Sequence, residues 1–170
     1  MSFEYPNNSA NAQVVTIVVD SNGNLYASGY FIQASGNTAN FVAGWNFNGS
    51  TWEALGSGLN NTCSSLALDS NGNLYAGGGF TTAGGNTANR IAVWYPNNNT
   101  WEALGSGFNN SCSSLAFDSN GNLYAGGFFT VAGGIQASKT AVWNGSYWEK
   151  YVDCDDDVYT IAYVGPRPFR

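Results

Sequence analysis

The segment Asp69-Ser-Asn-Gly-Asn-Leu-Tyr-Ala-Gly-Gly78 occurs three times along this chain with small changes. Its first five residues begin at Asp20, Asp69 and Asp118, so consecutive copies start 49 residues apart. The same interval separates three tryptophans, which are Trp45, Trp94 and Trp143. A fixed period of this length is typical of repeat proteins, and we therefore predict three 49-residue units.

Each unit is predicted to form four short strands. In the second copy these are residues 64–68, 74–78, 91–94 and 100–104. Between the first two lies Asn71-Gly72, and Asn-Gly between apolar runs favours a β-hairpin because both residues tolerate positive φ. No segment has a sustained helical period. Four strands in about 40–50 residues are typical of a propeller blade, so the predicted fold class is all-β.

Glycines and tryptophans recur in a pattern that resembles a known family. The second copy has a double glycine, Gly77-Gly78, and then Trp94 and Trp101 with six residues between them. The first copy has Ser28-Gly29 in place of the double glycine, and the third copy shortens the interval between tryptophans by two residues. The pattern resembles the kelch-like repeats of large surface and secreted proteins. The resemblance implies kelch-like propeller blades, three four-stranded repeats with orphan strands at both termini.

The repeat divides residues 1–170 as a single repeat domain. The predicted parts are an orphan strand (1–13), three repeats (14–62, 63–111 and 112–157) and a second orphan strand (158–170). Phe3, Glu4 and Tyr5 align with the fourth strand of a missing preceding blade. The first strand of a missing following blade is predicted from four residues, Val158, Tyr159, Ile161 and Tyr163.

Three interpretations of these ends stay open. The chain closes alone, with a reduced fourth blade made from both ends. It is a piece of a longer protein. Or the end of one subunit completes a blade with the start of the next, since unpaired strand edges are templates for association. The third interpretation uses both orphan strands, and it makes the seven terminal residues named above the candidate assembly residues.

Composition and charge exclude several function classes. Charged residues make up 9% of the chain, and the net charge is −6 with only five Lys or Arg. A nucleic-acid binder neutralises phosphates with basic side chains, so no nucleic-acid partner is expected. No apolar run reaches the roughly 18 residues of a membrane helix, so no membrane insertion is expected. No signal peptide is visible at the N-terminus. The low charge with many Asn and Trp favours an extracellular or particle-surface location.

Catalytic chemistry is not indicated. The chain has no His, which removes the usual general base and the commonest transition-metal ligand. We predict no enzymatic activity, no catalytic residue and no cofactor. One candidate Ca²⁺ site consists of Asp153, Asp155, Asp156 and Asp157, because carboxylate oxygens suit Ca²⁺; the competing interpretation is a solvated loop.

Two further sets of residues suit an exported protein. The candidate glycosylation sites are six Asn-x-Ser/Thr sequons: Asn7, Asn48, Asn60, Asn98, Asn109 and Asn144. Asn-rich turns also create such sequons by chance. Cys63 and Cys112 lie one repeat apart, and Cys154 makes the count odd; a disulfide and free buried thiols both remain open.

The function predicted from these observations is a structural, self-assembling subunit of an extracellular or particle-surface filament, with blades completed between neighbouring chains. Its main partner is then the protein itself, in a head-to-tail homo-oligomer or fibril. The alternative is a glycan- or protein-binding β-propeller module, with glycans as candidate ligands. Tryptophans that recur in every copy favour packing over sugar stacking, since large aromatics dominate protein cores.

Overall fold

The computed structural model describes residues 2–4, 12–46 and 48–162, and the regular structure in that part of the chain is entirely β. This confirms the all-β prediction. Three four-stranded antiparallel sheets follow one another along the chain, and the strands of each sheet pair in sequence order. In the described ranges no helix is long and apolar enough to cross a membrane.

The strand boundaries repeat from sheet to sheet. Sheet 1 consists of β2 (Gln13–Val19), β3 (Leu25–Tyr30), β6 (Val42–Asn46) and β7 (Thr51–Ala54). Sheet 2 consists of β8 (Cys63–Leu68), β9 (Leu74–Gly78), β12 (Ile91–Tyr95) and β13 (Thr100–Ala103). Sheet 3 consists of β14 (Cys112–Phe117), β15 (Leu123–Gly127), β18 (Thr140–Trp143) and β19 (Trp148–Lys150).

Each sheet also carries a small hairpin in the connection between its second and third strands. The hairpins are β4 (Gln33–Ala34) with β5 (Asn37–Thr38), β10 (Thr82–Ala83) with β11 (Asn86–Thr87), and β16 (Val131–Ala132) with β17 (Ile135–Gln136). Sequence analysis did not predict these hairpins, because strands of two residues are too short to produce an alternating pattern.

The turn between the first two strands forms as the Asn-Gly signal predicts. In sheet 2, Oδ1 of Asp69 accepts hydrogen bonds from the backbone N–H groups of Asn71 and Asn73, both at 2.9 Å. Gly72 has φ +81°, a conformation that glycine adopts at little cost. The recurring aspartate therefore stabilises the same turn in all three sheets.

The core lies between consecutive sheets. One cluster joins Tyr26 and Val42 of sheet 1 to Leu66 of sheet 2, and a second joins Ile91 of sheet 2 to Leu115 of sheet 3. Sheets 2 and 3 therefore each bury their first strand against the preceding sheet, because an apolar sheet face must be covered to be stable.

The double glycine makes this packing possible. A Cβ atom at Gly77 would lie 2.8 Å from Sγ of Cys112 and 3.2 Å from Cδ1 of Leu115, both on the next sheet. A Cβ atom at Gly78 would overlap the carbonyl oxygen of Thr62. The pair is thus required by close approach of two different chain segments.

The N-terminal strand corrects one prediction. Strand β1 (Phe3–Glu4) is not the fourth strand of a preceding unit; it pairs with β4 of the first small hairpin, Phe3 opposite Ala34. Leu59 and Phe108 make the same bridge to the hairpins of sheets 2 and 3. Phe3 therefore lies where a connection between sheets enters, and its ring packs 4.6 Å from that of Phe31. Tyr5 lies outside the described residues.

The reason for this difference is physical. The interval from Phe3 to Trp52 is one repeat, and aromatic spacing alone made the two positions equivalent. The small hairpin of each sheet needs a neighbouring chain segment to satisfy its backbone groups. In sheet 1 the backbone carbonyl of Glu4 meets this need by accepting from the N–H of Ile32 at 2.8 Å.

Candidate functional site

Each sheet has a leading face, which is the side of its first strand that carries two apolar residues three positions apart. The equivalent pairs are Val14 and Ile17 in β2, Cys63 and Leu66 in β8, and Cys112 and Leu115 in β14. Strand register supports the equivalence, because the first member of each pair lies opposite a glycine and the second opposite an alanine.

Exposure separates the three leading faces sharply. The pairs in β8 and β14 are 0–7% exposed, because each packs on the preceding sheet. Val14 is 37% exposed and Ile17 is 56% exposed. The side chains of Val15 and Val19 on the same strand are exposed as well. Strand β2 therefore presents a row of apolar side chains to solvent, and large exposed apolar patches are typical of interaction surfaces.

The opposite end of the stack differs. The trailing face of a sheet is the side that receives the next leading face, and in sheet 3 it includes Gly126. Residues 158–162, here called the tail segment, lie across it. A Cβ atom at Gly126 would lie 2.6 Å from Cγ1 of Val158 and 2.7 Å from Cδ1 of Ile161. The tail segment thus fills the position that a fourth sheet's leading strand would take.

Hydrogen bonds fix the tail segment in this position. The backbone N–H of Ile161 donates to Oγ of Ser114 at 2.9 Å, and the N–H of Val158 donates to the carbonyl of Gly127 at 3.1 Å. The hydroxyl of Ser113 donates to the carbonyl of Val158. Residues 158–162 are not assigned to a strand, although the sequence predicts one there. A strand needs a partner along its edge, and in the described part of the chain no second strand lies beside them.

The candidate assembly residues thus have different environments. Phe3 and Glu4 are half-buried within their own chain, and so are Val158 and Ile161. Tyr159 is exposed, although its ring contacts that of Phe128 at 5.4 Å. Tyr5 and Tyr163 lie outside the described residues. The exposed residues Val14 and Ile17 were missed; the signal was the apolar run of β2, where the other copies have Cys-Ser-Ser.

The tryptophans serve packing at the outer strands. The indole N–H of Trp101 donates to the carbonyl of Leu55 at 2.8 Å, and that of Trp148 donates to Leu104 at 3.0 Å. Both rings are buried. These bonds tie the fourth strand of one sheet to the end of the sheet before it, so the recurring tryptophans join neighbouring sheets.

A cleft opens between sheets 2 and 3. Its volume is about 790 Å³, and its lining includes Tyr75, Tyr95, Glu102 and Trp143. The equivalent cleft between sheets 1 and 2 measures about 210 Å³. Burial raises the pKa of Tyr75 to about 12, with the nearby carboxylate of Asp69 adding to it. The cleft combines aromatic rings with a few polar and acidic groups, a composition found in small-molecule pockets.

The calcium candidate is not assembled. Asp153 contacts Nζ of Lys150 at 2.6 Å, and Asp157 contacts Nζ of Lys139 at 2.7 Å. Asp155 and Asp156 are exposed. Among the residues that the structure describes, no three Asp, Glu or Cys side chains come together at a metal-binding distance. The first and last carboxylates pair with two different lysines, so this segment has the geometry of a solvated loop.

The sequons and cysteines occupy varied positions. Asn60 and Asn109 are engaged, since each Oδ1 accepts two backbone N–H groups of the next small hairpin. Nδ2 of Asn144 donates to Glu149 at 2.6 Å, whereas Asn48 and Asn98 lie in exposed turns. Asn7 lies outside the described residues.

The three cysteines are free. Cys63 and Cys112 are buried on the leading faces, and Cys154 is half-buried. Burial raises the pKa of Cys63 to about 11 and that of Cys112 to about 12, so both thiols are protonated at neutral pH.

Comparison with known proteins gives likeness in fold alone. No family model matches the chain, and no curated protein matches it. A crystal structure of the extracellular domain of the one component system BT4673 from B. thetaiotaomicron covers 94% of this chain with a TM-score of 0.61 and 17% identity. A second crystal structure, described as the extracellular domain of the hybrid two component system BT4673, covers 93% with a TM-score of 0.57 and 16% identity. This chain spans only 20% of the length of either structure.

Proposed function

We propose that this protein is a structural, self-assembling subunit, built from kelch-like propeller blades, that stacks head to tail into an extracellular or particle-surface filament. The observation that carries the proposal is the bare leading face of sheet 1. Val14 and Ile17 are exposed there, whereas their counterparts in sheets 2 and 3 are buried. Covering an apolar face of this kind is favourable, because it removes apolar surface from water.

The partner is inferred from the molecule itself. The same face is covered twice within the chain, both times by the trailing face of another repeat. The third trailing face, on sheet 3, is covered by the chain's own tail segment. A second copy of the chain offers the matching surface once this segment moves away. A contact between unlike faces repeats from copy to copy, and it produces a filament or a ring according to the rotation at each step.

The location and the remaining assignments belong to the same proposal. The low charge of the chain favours an extracellular or particle-surface setting, and both similar structures are extracellular domains. The net charge of −6 disfavours nucleic acid and anionic membranes as partners. The proposal assigns no catalytic residue and no cofactor.

Sedimentation velocity over a protein concentration series, with electron microscopy alongside, tests the assembly. We expect the wild type to form multimers and Ile17→Asp to weaken association by about tenfold or more, because a buried Ile contributes about 1.5–3 kcal/mol. Ile135→Asp is the matched control, since Ile135 is an exposed isoleucine on a different surface. A wild type that stays monomeric at all concentrations would falsify the proposal.

The second candidate function, a glycan- or protein-binding propeller module, is favoured by the cleft between sheets 2 and 3. Tyr95 lines it, and this aromatic does not recur: the first and third copies have Asn46 and Asn144. Titration with soluble oligosaccharides, followed by tryptophan fluorescence, should show saturable binding that Tyr95→Asn abolishes. Tyr147→Asn, an exposed tyrosine that does not line the cleft, is the control. Absence of binding to a broad oligosaccharide panel would remove glycans from consideration.

A further inference from the structure

We infer that the trailing face of sheet 3 is the docking site for strand β2 of a second copy, and that the chain's own tail segment occupies this site until the second copy displaces it. The inference rests on the proposed self-assembly, because it names the element that docks and the surface that receives it. It adds that the tail segment of each chain competes with β2 of a second copy for the same site, which self-assembly alone does not require.

The tail segment and strand β2 share three of four side chains at the same spacing. Residues 14–17 read Val-Val-Thr-Ile, and residues 158–161 read Val-Tyr-Thr-Ile. The equivalent residues of sheets 2 and 3 read Cys-Ser-Ser-Leu at positions 63–66 and 112–115. Strand β2 and the tail segment therefore share a pattern that sheets 2 and 3 do not have, and each has Val and Ile three positions apart.

The tail segment also reproduces the contacts of a docked leading strand. Where sheet 3 docks on sheet 2, the N–H of Leu115 donates to Oγ of Ser65 at 3.0 Å. In the tail segment the N–H of Ile161 donates to Oγ of Ser114 at 2.9 Å, and Ser114 is one repeat after Ser65. The surface of sheet 3 thus accepts a leading strand in the same register that sheet 2 does.

Both occupants cannot be present at once. Val158 and Ile161 fill the space above Gly126 so closely that even an added methyl group would lie within 2.7 Å of Ile161. Val14 and Ile17 of a second copy would need the same volume. The tail segment is tethered to its own chain, which gives it a high effective concentration at the site and weakens the apparent affinity for a second copy.

Displacement of the tail segment is favoured by the additional apolar surface that strand β2 of the second copy buries. The tail segment is a single extended segment that pairs with no second strand among the described residues. Strand β2 belongs to a four-stranded sheet whose residues Val15 and Val19 are also exposed. Docking of β2 therefore covers apolar surface that the tail segment leaves in solvent.

Full-length Ile161→Asp tests the exchange, because a charged carboxylate packed against Gly126 in place of an apolar side chain dislodges the tail segment. We expect the association constant measured by sedimentation velocity to rise by about tenfold, as the competing occupant is removed. The matched control is Thr160→Asp, which adds the same charge at an exposed position of the same segment and should leave association unchanged.

Two outcomes would overturn the exchange. Ile17→Asp combined with Ile161→Asp should return the protein to monomers; persistent association would mean that the uncovered face aggregates without β2. Weaker or unchanged association of Ile161→Asp would mean that the tail segment is a permanent part of the interface, and the exchange is then wrong while self-assembly stands. If Ile17→Asp alone leaves association unchanged, the proposed self-assembly itself fails.

Discussion

The two ends of the sheet stack present opposite surfaces. At the first end, the leading face of sheet 1 leaves Val14 and Ile17 in solvent, and at the last end the trailing face of sheet 3 is covered by Val158 and Ile161. Sheets 1 and 3 follow the same repeat pattern, so the pattern does not explain the difference. The difference arises from the chain segment that packs against each end.

The first end is also more apolar than its environment requires. Strand β2 reads Gln-Val-Val-Thr-Ile-Val-Val and is mostly exposed, whereas β8 reads Cys-Ser-Ser-Leu-Ala-Leu and is mostly buried or half-buried. If β2 were permanently exposed to solvent, we would expect it to be less apolar than the buried strand β8, since burial of apolar side chains is favourable. The comparison teaches that β2 has the composition of a strand that is covered.

The largest expected difference is in the rate at which cysteines on the exposed leading face of sheet 1 and on the buried leading faces of sheets 2 and 3 react with a thiol reagent. Val14→Cys, in a Cys154→Ser background, should react with a thiol reagent as an exposed cysteine does. Cys63 and Cys112 should react at least about a thousandfold more slowly, because they react only after the core opens. Labelling followed by mass spectrometry measures both rates. Equal protection of all three thiols in dilute solution would show that the first end is covered within the chain.

Truncation of side chains at equivalent positions of sheets 1 and 2 should give the next largest difference, measured as the free energy of unfolding. Leu66→Ala should lower the free energy of unfolding by about 2–5 kcal/mol, because it opens a cavity between sheets 1 and 2. Ile17→Ala, at the equivalent register position, should change it by less than about 0.5 kcal/mol in the monomer. Urea unfolding at low protein concentration checks both values, and a large loss for Ile17→Ala would contradict its exposure.

Alanine substitutions at the equivalent glycines Gly77 and Gly126 test how firmly the trailing faces of sheets 2 and 3 are covered. Gly77→Ala pushes a methyl group into Cys112 of a neighbouring sheet, and overpacking of this kind costs about 1–3 kcal/mol. The atoms nearest to an added methyl group at Gly126 belong to Val158 and Ile161 of the tail segment, so Gly126→Ala should cost less because this segment can move away. Urea midpoints of the two variants measure the difference. Equal losses would mean that the tail segment is held as firmly as a complete sheet.

Salt should have the smallest effect. Each chain carries a net charge of −6, so copies repel one another at low ionic strength. Raising the salt concentration from about 0.01 M to about 0.15 M shortens the screening length from about 30 Å to about 8 Å, and association should strengthen by less than about tenfold. Sedimentation at both salt concentrations checks this. Weaker association at high salt would mean that charge pairs, not apolar contacts, hold the copies together.

The local elements were predictable because their causes are local. The Asp69 turn follows from an aspartate and a glycine within four residues, and it recurs wherever those residues recur. The four strands of each sheet follow from short apolar runs between such turns. Trp101 and Trp148 were correctly interpreted as packing residues, because both rings are buried and the indole N–H of each donates to the sheet before it.

The ends were less predictable because their partners are distant in sequence. Phe3 matches the spacing of a fourth strand, but the hairpin at Gln33–Ala34 determines where it pairs. The tail segment has the pattern of a strand, and the partner edge that would make it one is missing from the described residues.

The period, the all-β class, the hairpin turns and the lack of basic charge could be predicted from the sequence, since each depends on residue type and short-range spacing. The exposure of β2, the bridge from Phe3 to a hairpin and the position of Val158 and Ile161 over Gly126 become visible only in the folded chain. The physical reason is that burial is a property of pairs of surfaces: identical repeats acquire different exposures according to the neighbours that the chain places beside them.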